Sequence, residues 1–320
     1  MKKYLSFFLI ISIFLTACGS TSSTGWKQLS PANHPPANGG GGVAYNTQSQ
    51  TAVYLGGFLN ETWLWNNGNW IKANAANQPP LRAKFGMAYD EARNRVVVFG
   101  GAYEKILFND TWEWNGINWL QVKSDHVPPA RCCHAMAYDS TQNKILLYGG
   151  WNSQTNTFFN DLWLWDGSDW TEVKNLETPL MSGHKMIAYS SEILSTFTSG
   201  LGTWIWDGYI WNHLDIVSPP DRPDSALAYD PENDYVVLFG GKRDGIILGD
   251  TWAYDGENWA ELNFAISPSP RDAHIMFYDV KRHSIILFGG VNEAGALDDT
   301  WELTLSEDLT EFTTLNTAQP

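Results

Sequence analysis

The stretch Asn109–Trp119, NDTWEWNGINW, carries three tryptophans and a turn signal. Residues two apart on a β-strand point to the same face, so Trp112 and Trp114 share a side while Glu113 faces the other way. Asn115-Gly116 accepts positive φ and suits a tight hairpin that returns the chain through Trp119. The phrase recurs. Trp63/Trp65/Trp70, Trp163/Trp165/Trp170 and Trp204/Trp206/Trp211 keep its spacing, and Trp252/Tyr254/Trp259 keeps it with one tyrosine. Every tryptophan except Trp151 falls on the template, Trp26 and Trp301 included. Indoles that recur in register along a whole chain are structural spacers rather than one ligand platform.

Two further elements precede each tryptophan phrase. An A-Y-D-like segment ends one strand, with Tyr45, Tyr89, Tyr138, Tyr189, Tyr229 and Tyr278 at its centre. A glycine pair ends the next: Gly56-Gly57, Gly100-Gly101, Gly149-Gly150, Gly240-Gly241 and Gly289-Gly290, with Ser199-Gly200 in the fourth copy. The intervening runs, VVVF before Gly100 and IILF before Gly289, are continuously apolar, as in strands covered on both faces. A unit is therefore four short antiparallel strands that cannot bury both faces alone. Repeats of about 40–50 residues with that property predict an all-β propeller, and six tyrosines predict six blades. The same gap separates Trp70 from Arg82, Trp119 from Arg131, Trp259 from Arg271, and Trp26 from Asn38. Gly25–Leu29 thus reads as the outer strand of the last blade, closing the ring. The competing closure is the stretch around Phe312, whose distance from Trp301 departs from the template.

The pattern R-x-x-H-x-M-A-Y-D, then strand and Gly-Gly, then D-T-W-x-W-D-G-x-x-W, resembles the kelch repeat of galactose-oxidase-like propellers over nearly all of residues 26–320. That resemblance implies that the A-Y-D strand is innermost and lines a central channel. Arg82, Arg131, Arg222 and Arg271 stand before it, with His134 and His274 three residues after two of them and His184 in a comparable place. A ring of guanidinium groups suits a carboxylate or sugar acid. Yet P-x-R-x-x-H is itself part of the repeat, and the favoured reading is structural, with the arginines tying blades together through Asp110, Asp161, Asp250 and Asp299. The resemblance fixes no function, since such propellers serve in adhesion, in scaffolding and as several enzymes. Nothing here matches the copper site of galactose oxidase residue by residue. Sialic-acid mutarotases of the bacterial envelope are the nearer enzymatic analogue.

Departures from the repeat point to a binding face. The linker from the glycine pair to D-T-W is long in blades 2, 3, 5 and 6 and short in blades 1 and 4. Strand alternation places these linkers on the same face as the arginines, which predicts a shallow groove across the channel mouth. Trp151, in the long third linker, is either a candidate ligand contact, stacking on a sugar ring or anchoring a protein partner, or part of a loop that folds back to cover its own blade. Cys132 and Cys133 are adjacent; as strand neighbours they are expected on opposite faces, with no CxxC or zinc spacing.

The amino terminus reads as a leader. Lys2 and Lys3 precede an apolar run, and Leu15-Thr16-Ala17-Cys18 resembles a bacterial lipobox. The expected organisation is a signal peptide over 1–17, a lipid-modified Cys18 with a flexible tether over 18–25, and a propeller over 26–320. Gly19 after the cysteine, where aspartate would favour inner-membrane retention, points to the outer membrane of a Gram-negative host. A net charge of −15 argues against nucleic acid. Sequences typical of nucleophile elbows, zincins, P-loops and dinucleotide folds are missing, and no cofactor is expected. The sequence thus favours a lipid-anchored envelope module that binds a protein or glycan, with a carbohydrate enzyme such as a mutarotase as the alternative.

Overall fold

The computed structural model describes residues 24–174, 180–196, 201–306 and 309. Cys18, Ser199-Gly200 and the stretch around Phe312 lie outside the described residues. Six four-stranded antiparallel sheets form a six-bladed β-propeller. Blade 2 shows the plan: Gly86–Asp90 is innermost, followed outward by Arg95–Phe99, Thr111–Trp114 and Trp119–Val122. The six innermost strands neighbour one another in a closed cycle: Gly42–Asn46, Gly86–Asp90, Ala135–Asp139, Lys185–Tyr189, Ala226–Asp230 and Ile275–Asp279. Blade 6 is completed from the other end of the chain. Gly25–Leu29 pairs antiparallel with Thr300–Thr304, Trp26 opposite Leu303. The ring is therefore latched by a strand that the chain supplies first.

The hydrophobic core is divided into six clusters, each shared by two adjacent blades. Val97 and Phe99 of blade 2, for example, pack against Ile145, Leu147, Trp165 and Trp170 of blade 3. This is why a single blade is not a stable unit. Half of its apolar surface is matched only by its neighbour, and burial of apolar area is the main driving force for folding.

The tryptophan phrase has a polar logic as well. In five blades the outermost tryptophan donates its indole N–H to the threonine that opens the third strand of the preceding blade; in blade 4, Trp211 meets a third strand that opens with Leu162 instead. Trp119 Nε1 donates to Thr62 Oγ1 at 2.8 Å, Trp170 to Thr111 at 2.9 Å and Trp259 to Thr203 at 2.9 Å. Trp26 donates to Thr251 at 3.1 Å, so the latch strand obeys the same rule. The aspartate of D-T-W or D-L-W accepts from the first tryptophan, as in Trp112 Nε1 to Asp110 Oδ2 at 2.7 Å. The aspartate and the threonine of the phrase thus satisfy indole N–H groups that, if buried unpaired, would cost about 1–3 kcal/mol each. The glycine pair permits close approach. Gly101 has φ 96°, and a Cβ there would lie 2.9 Å from the Ala83 carbonyl oxygen.

Candidate functional site

Strand alternation gives the disc two faces. One carries the starts of the inner strands, the segments after each glycine pair and the connections between blades. The other carries the turns after each A-Y-D segment and after each tryptophan pair. The long linkers of blades 2, 3, 5 and 6 are two-stranded hairpins on the first face: Ala102–Tyr103 with Ile106–Leu107, Trp151–Asn152 with Thr157–Phe158, Lys242–Arg243 with Ile246–Ile247, and Val291–Asn292 with Gly295–Ala296.

The four arginines are structural in their contacts. Arg131 is 0% exposed, its Nη1 and Nη2 donating to the two oxygens of Asp161 at 2.5 and 2.7 Å. Nη1 also donates to Gly149 O at 2.9 Å, Nε donates to Pro129 O at 3.0 Å, and the guanidinium lies 3.9 Å from the Phe159 ring centroid. Its backbone meanwhile belongs to the blade before: Arg131 N donates to Phe108 O, and Gly101 N donates to Arg131 O. One residue therefore fastens blade 2 to blade 3. Arg82 with Asp110 and Arg271 with Asp299 repeat the two-pronged geometry, and Arg222 Nη1 donates to Asp250 at 2.6 Å. Burial works to raise the carboxyls of Asp110 and Asp299, but hydrogen bonds from Arg82 and Arg271 outweigh it and hold both below the usual carboxylate range. In the arginine-free blades, Asn38 and Met181 occupy the same backbone position, donating to Leu297 O and Phe159 O.

The histidines stand nearer the axis but face neighbouring blades. His134 packs edge-on against Phe99, His184 against Tyr148 and His274 against Phe239, with ring centroids 5.4–5.6 Å apart. Each aromatic partner belongs to the preceding blade. His134 Nε2 accepts the Gly86 N–H at 3.0 Å. Burial, seconded by nearby cations, pushes His134 and His274 well below the ordinary imidazole value and His184 down to about 3, so all three rings are neutral near pH 7.

A central cavity of about 530 Å³ runs along the axis, lined by inner-strand residues of all six blades. None of the four arginines lines it. Alanine and methionine are prominent in its walls, with the three neutral histidines toward the hairpin face and Tyr45, Tyr89, Tyr138, Tyr229 and Tyr278 toward the other; Lys185 and Glu91 are the charged side chains among its lining residues. Of the two readings of the arginines the structure has the structural one, and the channel is not lined by guanidinium groups. Buried guanidinium groups need a fixed counter-charge, and the D-T-W aspartates supply it.

Of the two readings of Trp151 the structure has the folded-back linker, whereas the expectation for the cysteines changes. Trp151 is half-buried: its backbone bridges Cys132, as Ala102 bridges Ala83, and its indole stacks on Phe158 at 5.9 Å. The linker folds back on its own blade, and Phe158 rather than Trp151 is the exposed aromatic. The two cysteines do not point to opposite faces. They precede the strand, Cys133 has φ 63°, and their Sγ atoms lie 2.9 Å apart.

Cys133 belongs to a feature that sequence reasoning missed. Each blade has one left-handed residue just before its inner strand: Gly40, Lys84, Cys133, Gly183, Asp224 and Ala273. Their backbones are hydrogen-bonded around the channel mouth, Lys84 N to Gly40 O, Cys133 N to Lys84 O, Gly183 N to Cys133 O, Ala273 N to Asp224 O and Gly40 N to Ala273 O, at 2.8–3.1 Å. Lys84 and Asp224, from opposite blades, form an ion pair of 3.2 Å across the mouth. The glycines at this repeat position were the available signal, since a left-handed residue favours glycine.

No protein-family model and no curated protein matches the chain. Among solved structures, one described as "Structure of YjhT" matches with a TM-score of 0.68 and 16% sequence identity, over 86% of this chain and 97% of that one. At that identity the likeness establishes a shared fold and leaves function to the residues of the site.

Proposed function

We propose that this propeller is a binding module of a bacterial cell envelope, a kelch-type domain tethered to a membrane by lipid on Cys18, and that it engages an envelope or extracellular protein through its hairpin face. The observation that carries this reading is the apolar dressing of that face. The hairpins of blades 2, 3 and 5 present Ile106, Phe158 and Ile246, which are 54%, 50% and 66% exposed. Phe58 and Leu180 add to the same face from neighbouring linkers. Large apolar side chains held at the tips of rigid hairpins cost solubility and contribute nothing to the core, which is the pattern of a protein-docking surface. Three of the five, Ile106, Leu180 and Ile246, are aliphatic, and aliphatic side chains suit a protein surface better than a sugar ring.

Replacing Ile106, Phe158 and Ile246 together by aspartate tests this. The variant is expected to melt close to the parent, since exposed substitutions usually change stability by within about 0.5 kcal/mol each. It is expected to lose co-purification of its partner from solubilised envelopes by at least about tenfold, equivalent to about 1.4 kcal/mol. Undiminished co-purification would remove the hairpin face from consideration.

The second reading, a sugar mutarotase or related carbohydrate enzyme, draws support from the cavity itself, where tyrosine hydroxyls and Lys185 line a space of ligand size. It would have to work without the four arginines, each of which is bonded to an aspartate of its own blade.

A further inference from the structure

Cys132 and Cys133 sit at the mouth of the channel in a geometry that their sequence position alone does not produce. Left-handed backbone at Cys133 turns its side chain toward that of Cys132. Both backbones are fixed independently of the sulfurs. Cys132 exchanges two hydrogen bonds with Trp151, at 3.0 and 2.9 Å, and Cys133 is a link in the ring between Lys84 and Gly183, at 2.8 Å on each side. The scaffold therefore presents two thiols to each other at 2.9 Å, within a short approach of bonding distance. Cys132 is buried, whereas Cys133 is partly open to the mouth. The Lys84 ammonium, itself paired with Asp224, acts on both sulfurs.

We propose that Cys132–Cys133 is a reversible thiol-oxidation site, closed to a vicinal disulfide by small disulfides of the glutathione type, with Cys133 as the attacking sulfur and Cys132 as the resolving one. The Cys133 thiolate attacks one sulfur of RS–SR, forming Cys133–S–S–R and releasing RS⁻. The Cys132 thiol loses its proton, its sulfur attacks Cys133 Sγ, and the second RS⁻ leaves. The protein dithiol is oxidised by two electrons, the small disulfide is reduced to two thiols, and those thiols carry away the two protons.

The division of labour follows from the surroundings. A hydrogen bond from the Cys132 thiol lowers Cys133; burial opposes this, and Lys84 reinforces it. The same hydrogen bond, followed by burial, raises Cys132. The partly open Cys133 is thus the better thiolate, and the buried Cys132 is the less accessible to outside reagents. Reversibility follows from geometry. Neighbouring Cα atoms are about 3.8 Å apart, below the usual disulfide range of about 4.4–6.8 Å, so the bond is strained and readily reduced.

The test uses the full chain, reduced and then equilibrated in glutathione buffers of increasing oxidised fraction, quenched with an alkylating agent and digested with trypsin. Arg131 and Lys144 bound a tryptic peptide that carries both thiols. It is expected to lose two hydrogens as the oxidised fraction rises and to regain them with dithiothreitol. Cys132→Ser is expected to accumulate a glutathione adduct on Cys133, and Cys133→Ser is expected to stay unmodified on Cys132. Lys84→Gln should slow the first step about threefold for each unit by which Cys133 rises, because the loss of thiolate outweighs the gain in nucleophilicity. Adducts on both cysteines of the parent chain with no loss of hydrogens, or a peptide that stays reduced until the protein is unfolded, would overturn the assignment. Because the parent chain decides this, the outcome stands even if a serine variant fails to fold.

Discussion

Replacing Asp161 with alanine is expected to destabilise the protein by about 3–5 kcal/mol, a large fraction of the stability of an ordinary domain. The substitution leaves Arg131 fully buried with its charge uncompensated. The carbonyls of Gly149 and Pro129 and the Phe159 ring remain as partners, but none carries a countering charge. A double variant, R131M with D161L, is expected to recover much of the loss. It removes both buried charges and fills the space with apolar atoms, and such exchanges of buried ion pairs are often close to neutral. Urea unfolding followed by tryptophan fluorescence reads all of the variants, and the two singles with the double form a cycle that isolates the coupling. A free, ligand-binding arginine would give the opposite pattern: Asp161→Ala would leave stability unchanged, and the double would be no better than the singles.

Acidification from pH 7.5 to pH 5.5 is expected to remove about 1.4 kcal/mol per buried histidine, about 4 kcal/mol for the three together. The sign follows from which state takes up protons. Above pH 6.5 the rings are neutral whether the chain is folded or not, and they contribute no difference. As the pH falls through 6.5 the unfolded chain binds protons that His134, His184 and His274 in the folded chain refuse, and the folded state loses ground. The loss continues down to the folded value, about 3 for His184. The lowered carboxyls Asp110 and Asp299 act in a different window. Their contribution is present above their unfolded value, about 3.9, and is lost only as the pH falls below it. The early loss therefore belongs to the histidines. His274→Gln should reduce the difference between the two pH values by about one third. Equal urea midpoints at pH 7.5 and 5.5 would show that these rings can charge in the folded state.

The architecture was legible because a repeated unit displays its constraints six times over. The spacing from Trp26 to Asn38 placed Gly25–Leu29 on the outer edge of blade 6, and the pairing of Trp26 with Leu303 has that register. The long linkers of blades 2, 3, 5 and 6 are the four hairpins. The site was harder to read, because its chemistry depends on what each side chain meets across a blade boundary. Arg131 and Asp161 are both visible in the sequence, but only packing shows the guanidinium fully buried against the carboxylate. His134 stands at the entry of the inner strand in the sequence, and only the fold shows Phe99 of the previous blade packed against it. Thr62, Thr111 and Thr203 carry no sign in the sequence that they accept the indoles of the next blade. Cys132 and Cys133 defeated the alternation rule because a left-handed residue interrupts the strand geometry on which that rule rests.

The central functional claim is that the hairpin face, not the channel or the opposite face, meets the partner. Photo-crosslinking in intact cells producing the full chain tests it most directly. The crosslinking residue is placed singly at Ile106, Phe158 or Ile246, and for comparison at Ile117 or Tyr209, exposed positions on the turns of the other face. The account predicts a discrete protein adduct from the three hairpin positions and none from the two turn positions. Adducts from Ile117 or Tyr209 with none from the hairpins, or no protein adduct from any of the five, would contradict it.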